Sequence, residues 1–260
     1  MKHTFVDTHC HIDTYQEHTQ ESFESLWERI ENKPERIIQV ACDPNEFEFA
    51  RQISKKHPFI YSSYGIHPHY VQNHKPEHLE LLKKYLKDPK AVGIGEFGLD
   101  YYYGKENKKE QIALFKAQLE IALTLKKTIV LHLRDAEADS LEILNQYPLQ
   151  KHKIDVHCYT SHPDFAKALL DYSPNLYIGF TGIITFKNAE NVRESAKIVP
   201  LDKLLLETDA PYLAPVPYRG KPAHSGMIPH IAQTLAQIKN TSIENIFKHC
   251  RQNTENCYSI

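Results

Sequence analysis

Six side chains that can hold a metal ion stand at comparable places along the chain. His9 and His11 lie two apart in DTHCHID, flanked by Asp7 and Asp13. Glu96 follows the apolar run AVGIG, His132 ends TIVLH, His157 ends KIDVH, and Asp209 closes KLLLETD. A lone His-x-His is a weak signal. Four imidazoles and two carboxylates buried together are another matter, because they cost several kcal/mol unless something satisfies them. A pair of divalent cations would satisfy them, and two such cations about 3.5–4 Å apart suit hydrolysis of a phosphodiester.

The elements that must bring these residues together are legible as eight short β-rich runs: TFVDTHC, RIIQVAC, FIYSSYGI, AVGIGEFGL, TIVLHLR, KIDVHCY, LYIGFTGII and KLLLETDAP. Most are continuously apolar, as parallel strands covered on both faces are. Helical spacing lies between them, as in Phe23, Leu26, Trp27 and Ile30, in Leu79, Leu82 and Leu86, in Ile112, Phe115, Leu119, Ala122 and Leu123, and in Ile228, Ile231, Leu235 and Ile238. DPNE at residues 43–46 predicts a helix start, with Asp43 as N-cap and Glu46 three residues on. Eight strands alternating with helices predict a (β/α)8 TIM barrel, a single domain over residues 1–260. A doubly wound sheet would show a Gly-rich first turn, and DTHCHID stands there without glycine. Residues 210–226 read as a long ordered loop over the barrel mouth, and the tail after about residue 241 as one or two short helices.

In a barrel the C-terminal strand ends converge on the face that carries active sites. All six residues are expected there, with Glu96 ending the fourth strand. Side chains alternate along a strand, so His9 and His11 point inward while Cys10 points toward the helices as packing. Asp7 and Glu207 share the inward parity one layer deeper and should orient the residues above them. Asp13 lies outside the strand and receives no role. The formal charge of −2 excludes a strongly basic nucleic-acid coat, so cations must be local. Five scattered cysteines without a C-x-x-C pair fit reduced thiols of a cytoplasmic protein. The start MKHTFVDTHC lacks the apolar stretch of a signal peptide, and no run of about 18 apolar residues occurs, so no membrane role is expected.

Taken in order, DTHCHID, GIHPH, GEFGLDYY, LHLRDA, VHCYTSH and LLLETDAPYL resemble the motif series of the TatD-like metal-dependent hydrolases, barrels associated with DNase activity. The resemblance runs from about residue 4 to residue 258. It implies that His9, His11 and Asp209 hold one metal, that His132 and His157 hold the other, and that Glu96 bridges them. Asp209 is expected to be the general base. Mixed His and carboxylate ligation fits Zn²⁺, Mn²⁺ or Ni²⁺, whereas Mg²⁺ prefers oxygen ligands. Phosphate contacts are expected from His67 in GIHPH, from Arg134, and from Arg219 and Lys221 in the mouth loop, while Tyr101, Tyr102 and Tyr103 are expected to pack, with stacking of one of them on a base as the alternative. Many relatives carry Asn-Glu-Pro shortly after Arg-Gly-Lys; here RGKPAHSG departs from that pattern. The expected activity is a metal-dependent deoxyribonuclease, a 3′ exonuclease acting as a monomer on DNA ends or short single strands. The alternative keeps the metals and hydrolyses esters, lactones, amides or aminoacyl-tRNA.

Overall fold

Runs rich in Val, Ile and Leu become strands where both faces can be covered. In the computed structural model, which describes residues 4–260, they form eight parallel strands: β1 (Val6–Cys10), β2 (Arg36–Ala41), β3 (Ile60–Tyr64), β4 (Ala91–Asp100), β5 (Thr128–Arg134), β6 (Ile154–Val156), β7 (Leu176–Phe180) and β8 (Leu204–Leu206). They pair in chain order. The sheet then closes on itself just beyond β8. Asp209 N–H donates to the His9 carbonyl (2.9 Å) and His11 N–H to the Ala210 carbonyl (2.7 Å). The fold is the (β/α)8 barrel.

Helices α1 (Ile12–Thr19) and α2 (Phe23–Arg29) follow β1, and α3 (Phe47–Lys56), α4 (Pro76–Tyr85), α5 (Lys108–Leu123), α6 (Glu137–Leu144), α7 (Pro163–Tyr172) and α8 (Glu190–Ile198) follow β2 to β7 in turn. After β8 come α9 (Ile228–Ile238) and α10 (Ile243–Tyr258). Among the described residues no helix is long and apolar enough to cross a membrane. The start expected at Asp43 is displaced: α3 begins at Phe47, and DPNE is a turn. Glu46 still reaches back, its Oε2 accepting from Cys42 N (2.9 Å) and Asp43 N (3.1 Å), so half of the capping pattern survives as loop glue.

Two apolar layers hold the barrel. Phe47, Leu82, Phe115 and Leu119 are buried between strands and helices. Each such side chain contributes roughly 1.5–3 kcal/mol through its burial. Inside, Ile38, Val40, Val130 and Leu205 meet Cys257 and Tyr258. The tail is therefore one 16-residue helix rather than one or two short ones, and its last turn packs into the barrel interior. Tyr258 brings its hydroxyl with it and donates to Asp155 Oδ2 (2.5 Å), which removes the cost of burying that group. The loop of residues 210–226 is ordered by packing, since Ala210, Ala214 and Ala223 join Cys10, Ile12 and Phe23 in one cluster.

Two irregularities shape the rim. Between Asp7 and Cys10 on β1, and between Ile94 and Phe97 on β4, three steps oppose two on the neighbouring strand. These are β-bulges, which re-aim side chains locally. Glu96 sits inside the second one.

Candidate metal centre

Glu96 does not end its strand. β4 continues four residues to Asp100, and the bulge turns Glu96 into the barrel at mid-strand. Gly95 before it has φ 139°, a backbone region open to glycine, and a Cβ there would collide with the Val130 carbonyl. The buried carboxylate is ringed by imidazoles. Its Oε2 lies 2.5 Å from His9 Nε2, 3.3 Å from His157 Nε2 and 3.8 Å from His11 Nε2, and its Oε1 lies 3.6 Å from His132 Nδ1. Asp209, at φ 55°, turns its Oδ1 to within 3.4 Å of His11 Nε2 and 3.9 Å of His9 Nε2. All six residues expected at strand ends thus converge on one spot.

Hydrogen bonds fix which ring nitrogens face inward. His11 Nδ1–H donates to the Val40 carbonyl (3.1 Å), leaving Nε2 toward Asp209 and Glu96. His132 Nε2–H donates to Asp100 Oδ2 (2.9 Å), leaving Nδ1 free. That lone pair then points at His157 Nε2, 3.1 Å away. A neutral His157 can meet that lone pair by donating from Nε2, which leaves its own Nδ1 buried and unpartnered; in the other tautomer both lone pairs face a shared cation. Nearby, His9 Nδ1 and His157 Nδ1 are buried without a hydrogen-bond partner, and His9 Nε2 and Glu96 Oε2, 2.5 Å apart, meet outside hydrogen-bond geometry. Polar atoms orphaned at this density fit divalent cations, and the ligating atoms of His9, His11 and Asp209, and of His9, Glu96 and His157, group within 4.8 Å.

The electrostatics agree with that fit. Burial works against charge on Glu96, yet the imidazoles around it, His9 Nε2 at 2.5 Å among them, hold the carboxyl well below its usual range. Burial keeps His157 neutral, as a ligand must be. Burial also opposes charge on His11, but Asp209 and Glu96 push its pKa up to about 10, so this ring holds a proton that a bound cation would have to displace.

The supporting layer differs in part from expectation. Cys10 faces the helices, packed with Ile12, Phe23 and Ile37. Asp7 does not orient a histidine ring. Its carboxylate accepts from Thr208 N (2.9 Å) and Thr208 Oγ1 (2.7 Å), which pins β1 to the segment beyond β8 where the barrel closes. Glu207 accepts from Cys158 N and lies 3.9 Å from His157 Nδ1. Asp13 has a partner, since its Oδ1 accepts from Gln39 Nε2 (3.0 Å) and Gln39 Oε1 accepts from Ile12 N (2.6 Å). Asp100 was missed. It is buried, accepts from His132 and from His69 Nε2 (3.0 Å), and is held well below the usual carboxylate range by those two bonds despite its burial. The signal was its even spacing from Glu96 in GEFGLDYY, hidden by ending the strand too early.

Above the centre opens a cavity of about 650 Å³. His67 lines it. Its Nδ1 accepts from His69 N (3.1 Å), so Nε2 carries the proton, 3.1 Å from Glu96 Oε1; burial keeps the ring neutral. Arg134 lines it too, stacked 3.7 Å over the Tyr102 ring. Arg219 and Lys221 lie elsewhere, against Phe186 (4.0 Å) and Tyr218 (6.0 Å), and do not line the cavity. Tyr101 packs as expected, whereas Tyr102 and Tyr103 are exposed at the cavity mouth. Glu46, Glu96, Asp100, Asp135 and Asp209 face a single permanent cation, Arg134, across the lining. An anionic substrate would be repelled unless added cations reversed that balance.

Comparison with known proteins points the same way. An uncharacterized metal-dependent hydrolase of Buchnera aphidicola is 38% identical over 243 residues, covering 92% of this chain and 90% of its own. The human 3′-5′ RNA nuclease TATDN2 is 32% identical across the whole of this chain, which spans 36% of the human protein. The crystal structure of YjjV, a TatD homologue from Escherichia coli, superposes with a TM-score of 0.90 at 25% identity, covering 98% of both chains. A barrel whose rim gathers orphaned imidazoles around a buried carboxylate, and whose residues 6–259 match the model of TatD-related DNases, belongs to that family of metal-dependent hydrolases.

Proposed function

We propose that this protein is a two-metal nuclease that removes nucleotides from the 3′ ends of DNA or of short single strands. The observation that carries the reading is the convergence of His9, His11, His132 and His157 on the buried Glu96 carboxylate, with Asp209 Oδ1 3.4 Å from His11 Nε2. His9, His11 and Asp209 would hold one ion and His132 and His157 the other, with Glu96 shared between them. Bound divalent ions supply Lewis acidity and bring the pKa of water toward neutrality.

The chain's own groups do the rest. Asp209 accepts the proton of the attacking water at its carboxylate. His67 presents Nε2–H toward the reacting group as a neutral donor, and the Arg134 guanidinium receives a phosphate oxygen at the cavity wall. Asp100 keeps His132 in the tautomer that leaves Nδ1 inward. A near-neutral chain with one lining arginine suits a strand terminus better than a long duplex, whose affinity scales with phosphates neutralised. RNA is the competing substrate, favoured by the name of the human relative.

Metal-loaded protein incubated separately with labelled single-stranded DNA, single-stranded RNA and an ester panel tests this reading. Stepwise loss of nucleotides from DNA, abolished by Glu96→Ala, is the expected result. Brisk ester turnover with no nucleotide release would replace it by the ester or amide hydrolase reading, and release from RNA alone would change the substrate.

A further inference from the structure

Exposed apolar side chains scattered singly need no explanation, whereas a cluster of them marks a site of interaction. Among the described residues five are exposed: Tyr102, Tyr103, Ile198, Tyr212 and Val216. The three tyrosines all line the mouth of the cavity above the metal centre. Tyr101 next to them shows how a tyrosine packs here. It is buried and donates its hydroxyl to Asp139 Oδ2 (2.6 Å). Tyr102 and Tyr103 are instead 57% and 75% exposed.

Their arrangement is that of a platform. The two rings stand edge to face, centroids 4.9 Å apart at 88°. The guanidinium of Arg134 lies 3.7 Å over the Tyr102 ring, with Asp100 Oδ2 3.9 Å from one of its nitrogens, so its plane is held. Tyr103 meets His69 at 5.4 Å, ring edge to ring face, and His69 meets His132 at 6.4 Å. One imidazole thus separates the open tyrosine from the metal centre. Phosphate recognition needs cations and donors and has no use for bare aromatic faces. Nucleobases do, because every base presents a π-face to an aromatic ring or a guanidinium plane.

We propose that Tyr103, together with the Arg134 guanidinium held on Tyr102, is a stacking subsite for one unpaired nucleobase beside the scissile phosphate. This rests on the nucleic-acid reading above and adds what selects the substrate. The terminal base must leave its neighbours to enter, so frayed or single-stranded ends are taken over blunt duplex, with little preference among the four bases.

The test compares two labelled single strands that differ only at the terminal residue, one with a normal nucleoside and one with a tetrahydrofuran abasic unit. The metal-loaded wild-type protein should show a KM for the base-bearing end lower by roughly five- to a hundredfold. That ratio should fall toward one in Tyr103→Ala and survive in Tyr103→Phe, and because it is taken within each variant, general losses of activity cancel. Equal KM values in the wild type, or a Tyr103→Ala protein that keeps the preference, would overturn the subsite and leave the nuclease reading standing. Cleavage of neither strand by the wild type would overturn both.

Discussion

Four imidazoles from three strands lie within 3.8 Å of Glu96, while the two loop cations expected at the same centre, Arg219 and Lys221, rest on Phe186 and Tyr218. The histidines are read from the ends of apolar runs, the two cations from a loop rich in proline and glycine. The difference lies in what fixes them. A strand-end residue is placed by a backbone ladder with a rise of about 3.3 Å and a period of two. A loop residue is placed by whichever tertiary contacts its segment finds, and in residues 210–226 those contacts are with Cys10, Ile12 and Phe23.

The sharpest way to break the comparison is at the rim. Asp209→Asn keeps the shape of the side chain and removes its basicity. Turnover of a labelled single strand should fall by about 10²–10⁴-fold, with the thermal melt little changed. Glu96→Ala should do at least as much and also weaken metal binding. Near-normal rates in either variant would show that convergence at strand ends does not mark the chemistry. A step smaller is Asp100→Asn, which leaves His132 without its carboxylate partner. Competition with a chelator should show metal affinity lowered by about 10–100-fold. Unchanged affinity would mean that the Asp100–His132 bond is only packing.

The loops give a contrasting pair. Arg134→Ala should raise KM for a single strand by roughly ten- to a hundredfold, the weight of a hydrogen bond to a charged group. Arg219→Ala and Lys221→Ala should change it by less than about threefold, as surface substitutions away from a site do. A large effect from Arg219 would mean that the loop moves onto the substrate.

How much was legible follows the same division. Cys10 and the two histidines flanking it were correctly sorted by parity alone, because β1 keeps its alternation at His9, Cys10 and His11 in spite of the bulge nearby. Glu96 was found by type and misplaced by position, since the bulge at residues 94–97 breaks the period that parity relies on. Asp100 was lost with the false strand end. Tyr102 and Tyr103 could not be told from Tyr101 in a run of three identical residues. Only the fold decides which ring meets Asp139 and which meets solvent.

His224 carries the smallest predicted effect, and it probes the loop from the stability side. It stands in RGKPAHSG, the segment that departs from the family pattern, half-buried and with Nδ1 lacking a partner. Burial first, and Arg29 second, lower its pKa to about 4, with Glu21 opposing. The unfolded chain takes up this proton near pH 6.5, and the folded chain refuses it until about pH 4. Above pH 6.5 the group is neutral in both states and adds nothing. As pH falls from 6.5 to 4 the unfolded state gains protons that the native state lacks, so stability declines through that window and levels off below it. Because the ring is partly open to solvent, the loss should be on the order of 1 kcal/mol rather than the full value of the shift. Thermal melts of the wild type and His224→Gln, both in chelator, should therefore converge in slope above pH 7 and diverge below pH 6, with the variant flatter. Parallel curves down to pH 4 would mean that the loop opens freely enough to protonate His224 in place, and that residues 210–226 are far less fixed than the rim beneath them.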